Sequence, residues 1–484
     1  MPIIGKKPEK VEQIPDIDKP KLVVPGKGVL TEEEYKKTLS EQEKEKKKET
    51  ETFGSLSYFD KKNKRLIEQI YKEDTFVFAV KDYTTGKIEF NDTIVIGNKR
   101  FYPEVTQAEP FRREKVILFP TDVTEYRSTE SLLNACDIFI KKNWYASTFD
   151  YLISEYYLFH TWVYDRFSEV GYLNNLGPWG WGKSRWMDTV GGLCFRATSI
   201  GGALTAASLF HIINYSRGTT NIDEADFTSG DTQTGVLKVL TLGNQDNHPI
   251  VRCDTEGGPM ISYNPYGPKL YSHRQPIKDA ALRSRCNTIK AMPDRDSIIS
   301  TNLDQDTFFA ERQLLINKLL KWRFDHYLTT KLDPTIQGRL KVTEGRLKQI
   351  IIPMLSSLKM LDIEHKLAGY LTVKNKEMIE DRKEDYSYRI FIAILQLRSE
   401  QAPLLKTPIT VKLIVNRFNE LYANPNWMLS PSVCGKIIKN SLELETKMNQ
   451  EGQMQLVCTE EDIEKLKTEF NVNSKTGSDH ALPL

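Results

Sequence analysis

One run of eight residues has the types and the spacing that hold a phosphate group: Gly177-Pro-Trp-Gly-Trp-Gly-Lys183-Ser184. It matches the pattern GxxxxGK[ST] at every fixed position, and three glycines would let backbone N–H groups curl around an anion: Gly177, Gly180 and Gly182. In such a loop the lysine reaches the β- and γ-phosphates of a nucleotide, and the hydroxyl after it ligates Mg²⁺. Lys183 and Ser184 therefore predict a site for ATP with Mg²⁺.

Forty residues beyond Lys183, the segment Thr219–Asp226 (TTNIDEAD) is typical of a buried strand that ends in two acids. Asp223 would hold Mg²⁺ through water, and Glu224 would polarise the attacking water. An ordinary strand end with exposed acids is the alternative, and the distance from an intact phosphate-binding loop favours catalysis. Asn221 departs from the pattern, because this strand position is usually apolar.

A rigid scaffold must bring these residues together. The segment 171–292 alternates short apolar strands with helical stretches, which is typical of a parallel α/β sheet in a three-layer arrangement. The apolar Tyr172 and Leu173 precede the loop, and a helical stretch follows it, which is the context that a phosphate-binding loop requires.

A third motif, Ala280–Cys286 (AALRSRC), resembles the arginine-bearing box of AAA+ ATPases, and the Ser-Arg-Cys box of clamp loaders in particular. In that family the arginine lies at a subunit edge and reaches the γ-phosphate bound by the neighbouring subunit. The resemblance implies that Arg285 is this arginine finger, with Arg283 as the second candidate. The alternative is that Arg285 is an ordinary surface arginine. It also implies a homo-oligomer, with a hexameric ring as one form.

The AAA+ resemblance implies two further sensor residues. The strand Pro268–Ser272 ends at the position that relays the presence of the γ-phosphate, where Ser272 and His273 are both candidates. The helix that begins near Glu344 would belong to a helical lid, 305–384, in which Arg346 is the candidate for the second sensor. A solvated helix arginine is the alternative for Arg346.

A closer resemblance covers the run from Thr161 (TWVYDRF) through GWGKS, IDEAD, YGPK and ALRSRC. This run is similar to poorly characterised ATPases of phage, plasmid and integrated mobile elements, which are regarded as replication helicases or helicase-like ATPases. The resemblance implies a replication context, with DNA and replication proteins as partners.

Pro249–Tyr263 contains two apolar runs around a Gly-Gly turn, which predicts a β-hairpin. Its position resembles the insertion with which MCM-like and superfamily-three helicases grip DNA in a central pore. This tip carries Asp254 and Glu256 where a lysine is expected, and acids repel phosphates. Arg252 beside the tip is the DNA-binding candidate, so gripping of DNA stays an open alternative here.

The segment 385–470 resembles a winged helix, with a helical pair followed by a hairpin-like stretch. The second helix of the pair offers Lys436, Lys439 and Asn440 on one face. Lysines would contact phosphates and an asparagine could contact an adenine edge, which favours DNA binding. A solvated face of a protein-docking domain is the alternative.

The remaining segments complete the predicted organisation of the 484 residues: a disordered charged tail (1–54), a small β-rich module (55–125), a helical segment (126–170) and a flexible tail (471–484). The net charge of +2 does not indicate a nucleic-acid coat. The six cysteines are scattered without a CxxC pair, which argues against zinc and is typical of reduced thiols. We expect a soluble, cytoplasmic protein without a membrane partner.

Together these patterns predict an oligomeric AAA+ ATPase that couples Mg²⁺-dependent ATP hydrolysis to translocation on DNA or to unwinding, in replication of a mobile element. The alternative is a nucleotide-gated loader or remodeller that acts on a protein partner. A loop that binds nucleotide without hydrolysis is disfavoured, because the lysine, the serine, both acids and an arginine are all present.

Overall fold

The computed structural model describes residues 22–24, 28–30, 51–201, 205–224, 231–253, 260–294, 299, 305–340, 342, 344–358, 363–383, 386–401, 408–422, 428–470 and 472. Most of the predicted tails, 1–54 and 471–484, lies outside these residues. The chain divides into two compact units, Met1–Pro110 and Phe111–Leu484.

The first unit is built from strands: β1 (Leu22–Val24), β2 (Gly28–Leu30), β3 (Glu51–Ser55), β4 (Ser57–Asp60), β5 (Arg65–Lys72), β6 (Thr75–Asp82), β7 (Ile88–Asn91), β8 (Ile94–Ile96) and β9 (Lys99–Pro103). Strands β4 to β7 form an antiparallel sheet in chain order, while β9 pairs parallel with β3 and antiparallel with β8. Apolar side chains from both sheets share a small core: Ile67, Phe78, Val80, Ile94 and Phe101. Helix α1 (Ala108–Arg113) follows.

The second unit continues with α2 (Thr129–Asn143), α3 (Thr148–Thr161), β10 (Tyr172–Leu176), α4 (Lys183–Thr189), β11 (Thr198–Ile200), α5 (Ala206–Ser216), β12 (Thr220–Ile222), α6 (Asp231–Leu242), β13 (Ile250–Cys253), β14 (Met260–Tyr263), β15 (Lys269–His273), α7 (Ala280–Arg283) and β16 (Cys286–Lys290). Beyond these lie α8 (Gln305–His326), α9 (Pro334–Arg339), α10 (Gly345–Ser357), α11 (Ile363–Lys383), α12 (Tyr386–Gln401), α13 (Val411–Leu421), α14 (Pro431–Asn440), β17 (Glu445–Met448), β18 (Met454–Val457) and α15 (Glu460–Glu469).

Five strands of the second unit form one parallel sheet in the order β11, β12, β15, β10, β16, with helices alongside. This is the parallel α/β sheet that the alternating segments predict. The central strands β10, β12 and β15 are buried along nearly their whole length, as strands covered on both faces must be. The strand order places β15, the fourth of the five along the chain, between β10 and β12.

An ion pair between the buried Arg323 and the more exposed Asp165 links the long helix α8 to the segment before this sheet. Both nitrogens of the Arg323 fork bind the carboxylate of Asp165, at 2.9 and 2.8 Å, and Arg323 also donates to the carbonyl of Trp162. The arginine outweighs the desolvation of Asp165 and lowers its pKa. Removal of Asp165 would leave the buried charge of Arg323 without its partner, so this contact orders α8 against the segment that precedes β10.

The C-terminal part of the second unit contains helices α12 to α15 and the antiparallel pair β17–β18. Helices α13 and α14 begin where Thr410 and Ser430 supply cap oxygens to backbone N–H groups. Apolar residues at helical spacing then pack into one core: Ile390, Ile394, Ile414, Phe418, Cys434, Ile438, Leu456 and Ile463. Across the part of the chain that the structure describes, no helix combines the length and the apolar character needed to span a bilayer.

Candidate functional site

The loop between β10 and α4 has the backbone that its glycines predict. Gly180 and Gly182 have φ of +79° and +77°, in the left-handed region that favours glycine. Gly177 is required for a different reason, because a Cβ at this position would lie 2.6 Å from Cβ of Ala291. The loop therefore turns sharply and packs closely against the residue that follows β16.

Lys183 is the first residue of α4, and its Nζ donates to the carbonyl of Pro178 across the loop at 2.7 Å. Ser184 follows it on the exposed first turn of the helix. Buried Trp144 lies beneath Gly182 and packs against Trp186 of α4, with ring centroids 6.3 Å apart. The helix turn that carries the lysine and the serine is thus supported by packed tryptophan side chains, at the C-terminal edge of the sheet.

The acid pair lies at the same edge, directly after β12. Ser272, on the intervening strand β15, donates a hydrogen bond to Asp223 and accepts one from the backbone N–H of Glu224 at 3.2 Å. The same N–H lies 3.0 Å from Oδ1 of Asp223. Neighbouring strands are about 4.8 Å apart, so the ends of β10 and β12 are separated by about 10 Å. The hydroxyl of Ser184 and the carboxylate of Asp223, which follow these two strands, provide oxygen ligands of the kind that Mg²⁺ prefers.

Glu224 has an unusual backbone and a cation beside it. Its φ of +53° lies in the left-handed region, which is strained for a residue other than glycine. Its carboxylate is exposed and lies 3.9 Å from Nη2 of Arg274. The sequence motifs gave Arg274 no role; it follows Ser272 by two positions, directly after the end of β15.

Of the two residues considered for the first sensor, Ser272 is the one that contacts the acids. His273 is buried on the other face of β15, where its Nε2 lies 3.0 Å from the amide nitrogen of Asn174. The polar Asn221, which departed from the expected pattern, is accommodated because Gly191 has no side chain. A Cβ on Gly191 would lie 2.8 Å from Nδ2 of Asn221.

Asp188 is an additional carboxylate near the site, four positions after Ser184 on α4. Desolvation raises its pKa; the charge of Arg312 opposes this shift, and the nearby Asp223 adds to it. The Nη1 of Arg312 also donates to the carbonyl of Asp188 at 3.3 Å. The i, i+4 spacing from Ser184 is the sequence signal that could have identified Asp188.

Arg285 lies at the N-terminal ends of the strands, at the edge of the sheet opposite to the loop, which follows the C-terminal end of β10. Its carbonyl accepts a hydrogen bond from the N–H of Tyr172, the first residue of β10, at 2.8 Å. The loop begins five residues later, about 17 Å farther along the strand. Arg346, the second residue of α10, is close enough for its charge to lower the pKa of Arg285, after desolvation as the larger cause. The structure does not bring either arginine to Lys183.

The candidates for DNA contact fall in two separate places. Arg252 is exposed on β13 and lies over the ring of Phe210 at 4.9 Å, while the acidic tip residues Asp254 and Glu256 lie outside the described residues. Exposed side chains of α14 line a groove of about 1100 Å³ against the β17–β18 hairpin: Lys436, Lys439 and Asn440.

No protein-family model and no curated protein matches the sequence. Among solved structures, an A-form apo structure of the NrS-1 C-terminal region is similar, with a TM-score of 0.36, 10% identity, and coverage of 81% of this chain and 96% of that chain. A second A-form apo structure of that region has a TM-score of 0.35 and 11% identity, with coverage of 81% and 96%. A further apo structure of that region has a TM-score of 0.33 and 10% identity, and the match covers 81% of this chain and 95% of that chain. At these TM-scores the likeness does not establish a shared fold.

Proposed function

We propose that the chain binds ATP with Mg²⁺ and hydrolyses it as an ATPase of the AAA+ type. The proposal is carried by the meeting of a complete phosphate-binding loop with Asp223 and Glu224 at one edge of a parallel sheet. Ser272 joins the two acids from the strand between them. A phosphate cradle together with a positioned carboxylate supports hydrolysis rather than binding alone.

Each residue has a distinct part in transfer of the phosphoryl group to water. The loop N–H groups and the ammonium of Lys183 stabilise negative charge on the β- and γ-phosphates. Ser184 and Asp223 would hold Mg²⁺, which when bound neutralises charge on the phosphate oxygens. Glu224 orients the attacking water and accepts its proton. Ser272 holds Asp223 in place for these steps.

Two features favour the AAA+ type and a homo-oligomer, for which we propose a ring. The strand order puts β15, with its sensing serine, between the loop strand and the acid-pair strand, which resembles the AAA+ arrangement. Arg285 lies about 17 Å from the loop of its own chain along β10. An arginine that far from its own site supports a role at the γ-phosphate of a neighbouring copy.

We propose further that hydrolysis drives translocation on DNA or unwinding during replication of a mobile element. The sequence resemblance supports this substrate, and helices α12–α14 with the β17–β18 hairpin support a winged-helix-like domain. Lys436 and Lys439 are exposed on its helix α14, where they could contact phosphates.

A loader or remodeller acting on a protein partner is the second candidate, and the β13–β14 hairpin favours it. Met260 is 77% exposed and Val251 is 56% exposed on this hairpin. Exposed apolar side chains suit contact with a protein surface better than contact with phosphates. In this case DNA would leave the rate of hydrolysis unchanged.

The experiment that separates the two candidates is steady-state ATP hydrolysis with and without single-stranded and duplex DNA, at several salt concentrations. We expect DNA to stimulate hydrolysis, with an effect that weakens as salt rises, because phosphate contacts release counterions. Lys183→Ala and Glu224→Gln should abolish turnover.

The double variant K436E/K439E tests the DNA surface. We expect it to lose stimulation by DNA while keeping the DNA-free rate, and to lower the salt slope of DNA binding by about one per lysine. The matched control is K465E/K467E on α15, whose lysines pair with glutamates. A wild-type rate that is indifferent to DNA would instead support the protein-directed candidate.

A further inference from the structure

Arg346 lies at the edge of the sheet that carries Arg285. A Cβ on Gly171 would lie 2.7 Å from Cβ of Ile350, so the side chain of Ile350 packs directly against the residue before β10. Arg346 precedes Ile350 by four positions on α10 and therefore shares its face. The backbone of Tyr172, next to Gly171, bonds to Arg285. These packing contacts place both arginines at the N-terminal end of β10, away from Lys183.

The two guanidinium groups are held differently. Arg285 donates from Nε to Oδ1 of Asn244 at 2.8 Å and from Nη1 to the carbonyl of Ala281. Arg346 is half-buried and has neither a hydrogen bond nor an ion pair within the part of the chain that the structure describes. Arg283, by contrast, donates to the carbonyl of Ile277 at 2.8 Å. Arg285 is thus held in place by its own chain, whereas no described contact holds the guanidinium of Arg346.

Two neighbouring cations repel each other unless an anion lies between them. Asp279 is the acid whose charge acts on Arg285, but its Oδ1 caps helix α7 by accepting from the N–H of Leu282 at 2.7 Å. The resemblance to AAA+ ATPases makes Arg346 the candidate for the second sensor. The backbone of Tyr172, which bonds to Arg285, lies about 17 Å along β10 from the start of the loop of the same chain, so the arginines and that loop are at opposite ends of the strand.

We propose that Arg346 acts with Arg285 on the γ-phosphate held by Lys183 of a neighbouring copy, so that each site takes two arginines in trans. This inference rests on the proposed ATPase function. Two guanidinium groups would share the charge that develops on the transferred phosphoryl oxygens. A single chain is then an incomplete enzyme, since it carries the loop and the acids at one edge and both arginines at the other.

The test is complementation between inactive copies. Arg346→Ala should lower turnover by about 100-fold or more, as loss of a donor to developing charge does. The control Arg339→Ala, which removes an arginine bound to Thr335 of its own helix, should keep the wild-type rate. R346A is then co-expressed with K183A under two different tags, and assemblies that carry both tags are purified in sequence.

In the mixed assemblies, an interface between the loop of an R346A copy and the arginines of a K183A copy is complete. We expect about a quarter of the interfaces to be of this kind, and recovery of activity in proportion. R285A with K183A should recover similarly. K183A with D223N should not recover, because neither copy then has an intact loop edge.

Recovery with R285A but not with R346A would overturn the proposal, because it would place Arg346 in the site of its own chain. An R346A variant that keeps the wild-type rate would overturn it as well, and so would failure of both mixtures to recover. A wild-type protein without hydrolysis is a separate result, because it removes the proposed function itself.

Discussion

At the scale of single residues, Ser272 connects the two acids of the candidate site. Its hydroxyl donates to Asp223 and accepts from the N–H of Glu224, and its strand lies between the two strands that carry the chemistry. It has no described contact with the phosphate-binding loop. We therefore propose that it positions the acids rather than binding nucleotide.

We predict that Ser272→Ala lowers kcat for ATP about 10- to 100-fold, because Asp223 loses the group that orients it. KM for ATP should stay near the wild-type value, since the loop is untouched. Steady-state kinetics check this against Ser399→Ala, which removes an exposed helix hydroxyl bound to the carbonyl of Gln396. An unchanged kcat would show that Asp223 needs no such support.

A second residue-scale prediction concerns His160, which is fully buried, with Nδ1 2.7 Å from Oγ of Ser357. Burial lowers its pKa to about 3, against about 6.5 in an unfolded chain. Between these values the unfolded chain binds a proton that the folded chain does not. Stability is therefore full above about pH 6.5 and falls by about 1.4 kcal/mol per pH unit below it.

The measurement is the Tm of the wild type and of His160→Phe between pH 7.5 and pH 5. The wild type should lose Tm more steeply below pH 6.5, because phenylalanine does not titrate. Parallel slopes for the two proteins would contradict the assignment of this pH dependence to His160.

At the scale of elements, the sequence predicts the loop, the acid pair and the parallel sheet, because each depends on local patterns. Glycine spacing sets the loop, and alternating apolar segments set the strands. The contact of Ser272 with Asp223 depends on which strands are neighbours, a long-range property that local patterns do not contain. The position of Arg346 depends on the same kind of long-range information, since helical spacing gives its face but not the edge of the sheet that the helix meets.

The loop itself gives a prediction with a matched pair of glycines. Gly182→Ala forces a residue with a Cβ into a left-handed conformation, which costs about 1–2 kcal/mol. Gly338→Ala in α9 meets no atom within 4 Å and should stabilise the helix by about 0.5–1 kcal/mol.

Thermal unfolding with and without Mg-ATP measures both effects. We expect G182A to lower Tm and to lose most of the stabilisation by Mg-ATP, because Lys183 starts the helix immediately after it. G338A should raise Tm and keep that stabilisation. A G182A protein with wild-type Tm and a full response to Mg-ATP would show that the loop does not need this conformation.

At the scale of the whole molecule, the placement of the charged groups explains why we propose an assembly. The phosphate-binding loop and the acids lie at the C-terminal edge of the sheet, whereas Arg285 and Arg346 lie at the N-terminal edge. Arg285 and Arg346 of one chain therefore lie away from its own loop, and in our proposal these two arginines reach a loop only where copies meet edge to edge. This account depends first on whether the loop hydrolyses nucleotide.

The most direct test is the rate of phosphate release from Mg-ATP by the purified, assembled wild type, measured beside Lys183→Ala and Lys278→Ala. Lys278 is an exposed lysine away from the loop, so its removal controls for loss of charge. We predict turnover that requires Mg²⁺, is lost in K183A and is kept in K278A. Absence of turnover in the assembled wild type, or equal rates in the wild type and K183A, would contradict the proposal that this loop is an ATPase site.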